Sequence, residues 1–178
     1  KKQFYRFIKP QAEGFPKMIE LFCRKPDLIK EVEGMHLTDI PTGEEVSSLS
    51  AILLDDEYYQ FALTNTQLIN GLHIANEYAL ICLKVRAFLN NSKRKAEGQE
   101  VKSEEIAKHK NDVIRLIATL LPNNVVLIPD TIKQELKEYI SIIRLENPDV
   151  KLLLKAQGAA NISLEEIIEQ LELIFALK

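Results

Sequence analysis

The segment from about Glu77 to Lys95 is predicted to form a helix with apolar residues on nearly every side of its first half. Such a helix is normally buried inside a protein, so other elements of the fold must cover it. Asn76 directly precedes the segment and is a suitable N-cap, because its side chain can accept a hydrogen bond from the first turn. Hydrophobic residues make up 46% of the chain, which is enough to build such a core.

The chain before this helix is typical of β-structure. Two strands, from Gln3 to Ile8 and from Lys17 to Cys23, are predicted to pair as a hairpin, because a stretch rich in Gly and Pro separates them. A second hairpin is predicted from Ser48 to Leu54 and from Tyr58 to Leu63, with the acidic residues 55–57 as its link. Two weaker elements are a short helix from Asp27 to Val32 and a short strand from Leu72 to Ile74.

After an exposed polar loop around Gly98, in residues 90–103, the chain is predicted to be helical. The predicted helices run from about Glu104 to Leu121, from Thr131 to just before Pro148, from Pro148 to about Ala156, and from Ser163 to Leu177. Capping boxes are predicted where Thr131 precedes Gln134 and where Ser163 precedes Glu166. This order of elements indicates the α+β class, with a mixed or antiparallel sheet in residues 1–95 and a helical carboxyl-terminal bundle in residues 96–178.

Charge is distributed unevenly along the sequence. The net charge is −3, yet nine Lys and Arg residues and five Asp and Glu residues lie from Lys84 to Arg115, a local balance of +4. The overall charge does not suggest a general nucleic-acid-binding protein. The basic zone is either a solvated helix and loop or a place that holds a ligand carrying phosphate.

The two cysteines, Cys23 and Cys82, lie in apolar runs without a partner at a metal-binding spacing, which indicates buried free thiols in a reducing compartment, the cytoplasm. No apolar run is long enough to span a membrane. The three histidines form no pair at zinc-binding spacing, and no P-loop, Rossmann or serine-hydrolase motif occurs. The chain begins at Lys1, close to a predicted strand, so we expect the natural polypeptide to be longer.

Lys84 is a charged residue in the apolar helix, with Leu80 and Phe88 as neighbours at helical spacing. Its ammonium group must reach water, pair with a carboxylate or line a cleft, because burying it unpaired would cost several kcal/mol. Asp112 on the next helix either forms a local ion pair with Lys108, or pairs with and positions Lys84, or meets the substrate directly. Glu20 alternates with apolar neighbours on a strand, where it either faces solvent or faces a cleft and binds Mg²⁺.

Two segments, Glu77–Leu89 and Lys108–Leu116, together resemble the nucleotidyltransferase-like family of the AbiEii toxin type, within the DNA polymerase β-like superfamily. The resemblance rests on Lys84 with Ala87 in the first helix, and on the basic run ending in Asp112 in the second. A polar spacer separates the two helices, as it does in the family. The similarity covers roughly residues 3–145.

This resemblance implies an α+β nucleotidyltransferase core and transfer of a nucleoside monophosphate from an NTP to an acceptor, either RNA or a protein. It implies that Lys84, Lys108 and Lys110 bind nucleotide phosphates. Asp112 and Glu20 would be catalytic, with Glu20 also a ligand of Mg²⁺. It further implies a toxin–antitoxin role with an antitoxin-like protein partner.

The sequence departs from the family at one decisive motif. The Gly-Ser turn followed by Asp-x-Asp, which holds the catalytic metal ions in the superfamily, does not occur in it. We therefore expect this chain to be inactive by itself, as the carboxyl-terminal portion of a nucleotidyltransferase. The alternative is a catalytically degenerate module that binds a nucleotide or a protein. The apolar stripe of the last helix, from Leu164 to Phe175, would then either face a partner or belong to the core.

Overall fold

The computed structural model describes residues 6–8, 13–14, 18–20, 22–24, 37–39, 50–121 and 124–178. They form an α+β protein with a helical carboxyl-terminal region, as predicted. The chain divides into two units, Lys1–Gln60 and Phe61–Lys178, whereas the sequence places the division after residue 95. The long helix that ends at Ala96 packs against the helices that follow it, which is why it belongs to the second unit.

The first unit contains short strands in two sheets. They are β1 (Arg6–Ile8), β2 (Met18–Glu20), β3 (Phe22–Arg24), β4 (Leu37–Asp39) and β5 (Ser50–Leu54). The antiparallel pairing of β1 with β2 confirms the first predicted hairpin. In the other sheet β5 lies between β3, to which it is parallel, and β4, to which it is antiparallel. The single strand predicted from Lys17 to Cys23 is thus shared between two sheets, and the helix predicted from Asp27 to Val32 lies outside the described residues.

The second predicted hairpin is wrong. Its first arm is β5, but the segment predicted as its second arm belongs to a helix, α1 (Asp56–Thr64). The Asp55 carboxylate accepts a hydrogen bond of 2.9 Å from the backbone N–H of Tyr58 and so caps the helix. Two acidic residues in the first turn add favourable charge at the positive end of the helix dipole. The acidic link is therefore the start of a helix and not a turn between strands.

A hairpin that the sequence analysis recognised only in part follows α1. It consists of β6 (Thr66–Ile69) and β7 (Leu72–Ala75), paired antiparallel. The predicted strand from Leu72 to Ile74 is confirmed, but its partner was missed. Asn70 and Gly71 connect the strands with φ values of 51° and 81°, as a two-residue type I′ turn requires.

Helices make up the rest of the second unit. They are α2 (Glu77–Ala96), α3 (Ser103–Ile117), α4 (Asp130–Glu146), α5 (Val150–Leu154) and α6 (Leu164–Ile174), with a short 3₁₀ turn at Lys155–Gln157. Helix α2 packs against α3 and α4, and α3 also contacts α5 and α6. The rings of Phe88 and Tyr139 meet edge to face, with centroids 5.7 Å apart, and join α2 to α4. None of the described helices is both long enough and apolar enough to cross a lipid bilayer.

Helix boundaries follow the predicted caps in two of three cases. The Asn76 side chain accepts a hydrogen bond of 3.0 Å from the Ala79 N–H, which confirms the cap of α2. Both halves of the capping box between Ser163 and Glu166 are present at the start of α6. The polar loop is shorter than predicted, residues 97–102, because α2 continues to Ala96 and α3 begins soon after it.

The predicted capping box of Thr131 and Gln134 is wrong. Helix α4 begins at Asp130, and Pro129 stands at the N-cap position without a capping side chain. Thr131 therefore lies within the first turn and cannot act as the N-cap. Helix α3 also ends earlier than predicted, at Ile117.

The apolar stripe of α6 belongs to the core of its own chain. Its inward side chains are fully buried: Ile167, Ile168, Leu171, Ile174 and Phe175. The Phe175 ring contacts Tyr78 on α2 edge to face, with a centroid distance of 6.3 Å. The core interpretation of this stripe is therefore confirmed, and the partner-facing one is wrong.

Candidate functional site

Helix α2 holds Lys84 at the edge of the core. The side of the helix that faces its neighbours is fully or almost fully buried, at Ala79, Ile81, Cys82, Val85 and Phe88. Lys84 lies beside this face, and its side chain is 28% exposed. Its aliphatic stem is covered while the ammonium group reaches the rim, an arrangement common for lysines next to apolar surface.

Helix α3 brings a carboxylate to this ammonium group. Lys84 Nζ donates a hydrogen bond of 2.7 Å to Asp112 Oδ2, between residues 28 positions apart in the chain. The Asp112 side chain is 24% exposed, and the residues that follow it, Val113 and Ile114, are buried in the core. Of the expectations for Asp112, the structure shows the contact with Lys84.

A second cation lies on the other oxygen of the same carboxylate. Arg115, one turn further along α3, approaches Asp112 Oδ1 to 3.4 Å through one guanidinium nitrogen. Its side chain is 41% exposed, so this contact is open to water. The cluster of Lys84, Asp112 and Arg115 therefore carries two positive charges and one negative charge at the surface of the α2–α3 layer.

The ion pair of Lys84 and Asp112 contributes little to the stability of the fold, so Lys84 can leave Asp112 for another anion. A partly exposed pair such as Lys84 with Asp112 typically contributes at most about 1 kcal/mol, because water competes for both groups. Exchanging Asp112 for another anion would therefore cost Lys84 little. A cation that is held in place but loosely bound is well suited to receive a phosphate oxygen.

His109 is a neighbour of the pair formed by Lys84 and Asp112. The sequence analysis considered this histidine only as a zinc ligand. It lies three residues before Asp112, on the same flank of α3. Its Nδ1 atom is buried and meets no hydrogen-bond partner among the described residues. The pKa of His109 is lowered, first by burial and next by the positive charge of Lys84. The imidazole is therefore neutral at pH 7.

The two other predicted phosphate-binding lysines lie in different places. Lys108 is exposed and precedes Asp112 by four residues, which puts both on one side of α3. Lys110 is on the far side of the helix, roughly 160° around the axis from Asp112. Its ammonium group pairs with Glu146 at the end of α4, and its carbonyl accepts a hydrogen bond of 2.9 Å from the Tyr139 hydroxyl. The structure does not bring Lys110 to the cluster.

Glu20 is the last residue of β2, opposite Arg6 in the register of the first sheet. Its side chain lies outside what the structure describes, so its assignment as a catalytic and metal-binding carboxylate stays a prediction. Within the described ranges no group of three or more His, Cys, Asp or Glu residues is arranged to hold a metal ion. Asp112 faces a cation on each oxygen, so the described residues do not by themselves fit Mg²⁺.

The cluster could have been found more fully from the sequence. Lys84 and Asp112 were identified because an isolated charge in an apolar stretch needs a partner. His109 and Arg115 were missed, although each stands three residues from Asp112 and so shares its flank of the helix. Comparison with protein-family models, curated proteins and solved structures finds no match to this chain.

Proposed function

We propose that this chain is the carboxyl-terminal portion of a nucleotidyltransferase that moves a nucleoside monophosphate from an NTP to an RNA or protein acceptor. Within it, Lys84 of the cluster binds the phosphates of the NTP, while Asp112 and Arg115 remain paired with each other. The observation that carries the proposal is the 2.7 Å contact between Lys84 and Asp112, from adjacent helices, at a partly covered position. The resemblance to the AbiEii-type family supports the same assignment. We place the protein in the cytoplasm, with an antitoxin-like protein as its partner.

The geometry supports binding by an exchange of anions. When a phosphate oxygen approaches, Lys84 Nζ turns from Asp112 to the more highly charged ligand. Asp112 keeps its contact with Arg115 and is not left as an unpaired, partly buried charge, which would be costly. Lys108, exposed on the same side of α3, adds positive charge near the incoming phosphates.

The proposal assigns binding to the described residues and does not assign the transfer step to them. That step needs carboxylates that hold Mg²⁺ at the attacking and leaving oxygens, and the described residues offer no such group. Catalysis would depend on Glu20 together with carboxylates outside this chain.

A second candidate function is a degenerate module that binds nucleotides without turnover. The observation that favours it is the engagement of both Asp112 oxygens by cations, which leaves this carboxylate poorly placed to act as a base. Incubating the longer polypeptide, of which we propose this chain to be the carboxyl-terminal portion, with each NTP, Mg²⁺ and RNA or protein acceptors separates the two functions. Release of pyrophosphate would support the transferase, and binding without release would support the module.

The binding proposal is tested by replacing Lys84 with Met, which keeps the stem and removes the charge. Titration calorimetry with the four NTPs should show affinity weakened by about tenfold or more, because a hydrogen bond to a charged group contributes about 1.5 kcal/mol or more. The matched control is Lys93→Met, on the same helix but 73% exposed and outside the cluster. If Lys84→Met keeps the NTP affinity and lowers only the melting temperature, Lys84 is structural and the proposal fails.

A further inference from the structure

His109 lies between charges of both signs at the proposed binding site. Lys84, from α2, and Lys108 disfavour its protonated form, whereas Asp112 and Glu105 favour it. Helices α4, α5 and α6 also contact α3, but among the described residues they add no charged group to this set. His109 is partly buried, and its buried Nδ1 has no partner within the described part of the chain.

An anion that reaches Lys84 would change this balance. Its negative charge would offset the ammonium charge that now opposes protonation of the ring, so the imidazolium would become more favourable. Histidine is the side chain that responds to such changes between pH 5 and 8. The partly buried position strengthens the response, because charges act over longer distances where water is partly excluded.

We propose that a phosphate ligand binds at Lys84 together with a proton taken up from solvent by His109, so that phosphate affinity rises as the pH falls. The inference rests on the proposed function and adds to it a regulation of that site by pH. Linkage fixes the sign of the effect: a ligand that favours the protonated ring binds most tightly to the protonated protein. No covalent bond is made or broken, and the proton returns to solvent when the ligand leaves.

The experiment measures ATP binding by calorimetry from pH 5.5 to 8.5 for the wild-type chain and for His109→Gln. ATP itself titrates in this range, but its contribution is the same for both proteins. The difference between the two profiles therefore isolates His109. We expect the wild type to gain about tenfold in affinity toward low pH relative to His109→Gln, since a charge within a few ångströms shifts a pKa by about one unit or more.

His73→Gln is the matched control. His73 lies exposed on β7 of the hairpin, where its ring is 3.4 Å from the Thr66 hydroxyl, and it takes no part in the cluster. This variant should reproduce the wild-type profile. Repeating the wild-type titration in buffers of different ionisation enthalpy gives the number of protons taken up per ATP, which should exceed that of His109→Gln.

Failure of this inference is distinguishable from failure of the proposed function. If wild type and His109→Gln bind ATP with the same pH profile, proton coupling is refuted and phosphate binding at Lys84 still stands. If wild type binds no ATP at any pH, both are refuted. Should His109→Gln not fold, NMR titration of the His109 ring in the wild type decides. Its pKa should rise when tripolyphosphate is added, and an unchanged pKa on saturation would overturn the inference.

Discussion

At the level of single residues, the sharing of Asp112 between two cations would decide how the cluster responds to the phosphate ligand that we propose. Lys84 and Arg115 contact different oxygens of the carboxylate, so one can leave while the other remains. If Asp112 contacted Lys84 alone, the departure of the lysine would leave a partly buried aspartate without a partner. The arrangement is therefore suited to exchange, which is the property that separates a binding lysine from one that only joins two helices.

His109 gives a prediction about stability that does not depend on any ligand. Its pKa is lowered in the folded protein from the ordinary value of 6.5, so the unfolded chain binds more protons as the pH falls below that value. The free energy of unfolding should therefore decrease from about pH 6.5 downward until the folded-state pKa is passed. Urea unfolding at pH 7.5 and 5.5 measures this loss.

The comparison that isolates the residue is His109→Gln, which cannot titrate. Carboxylates titrate mostly below pH 5.5, so they contribute little to the difference between the two conditions. The wild type should lose more stability than the variant between pH 7.5 and 5.5. Equal losses would show that the burial of His109 carries no energetic penalty for its protonated form.

At the level of elements, the turn at Asn70 and Gly71 determines the β6–β7 hairpin. Gly71 has a φ of 81°, and a Cβ added there would meet nothing within 4 Å. Any cost of Gly71→Ala is therefore backbone strain alone and not a clash. We expect the hairpin to lose about 1 kcal/mol, since a left-handed conformation costs L-residues roughly that amount.

Hydrogen exchange is the suitable measurement, because the hairpin can open without global unfolding. The cross-strand amides of β6 and β7 should exchange about fivefold faster in Gly71→Ala, and those of α2 should not change. Asn70→Gly is the control, as glycine accepts the φ of 51° at that position without strain. Equal protection in Gly71→Ala and the wild type would show that the turn does not set the stability of the hairpin.

The sequence predicted elements well where one local signal was sufficient. The caps at Asn76 and Ser163 and the apolar pattern of α2 and α6 rest on contacts within a few residues. Prediction failed where one signal had two meanings. Acidic residues suit both a turn and a helix start, so α1 was taken for a strand. The pairing of β5 with β3 joins distant segments, and no local pattern encodes a parallel partner.

The same distinction applies to the candidate site. The contact of Lys84 with Asp112 was predictable, because the two helices are long, adjacent in the chain and joined by a short loop. The attachment of Lys110 to Glu146 was not, because it depends on how α4 packs against α3. Tertiary packing decides which basic residue of a segment faces a ligand. The composition of the segment alone therefore cannot predict that residue.

At the level of the whole molecule, every residue of the candidate cluster belongs to the second unit. Lys84, Asp112 and Arg115 all lie within Phe61–Lys178, and so does the neighbouring His109. Much of the buried apolar core, from Ala79 to Leu177, lies in the same unit. The contacts of Asp112 with Lys84 and with Arg115 are both made within this unit.

A shortened chain tests whether the second unit folds and binds ATP by itself. Residues 55–178 keep Asp55, the cap of α1, and contain the complete second unit. We expect this fragment to unfold cooperatively, with a helical circular dichroism spectrum, and to bind ATP with an affinity within about threefold of the full chain, since sites without shared partners contribute independently. A fragment that folds but no longer binds ATP would show that the first unit supplies part of the site.

Cys82 lies fully covered in the helical layer of the second unit, and burial raises the pKa of its thiol well above the usual range. Alkylating reagents and oxidants attack the thiolate. Because Cys82 is fully buried and its thiol stays protonated there, these reagents can modify the sulfur only after α2 has separated from its neighbours. The rate at which the Cys82 sulfur is modified therefore reports how often α2 separates from the helices that cover it.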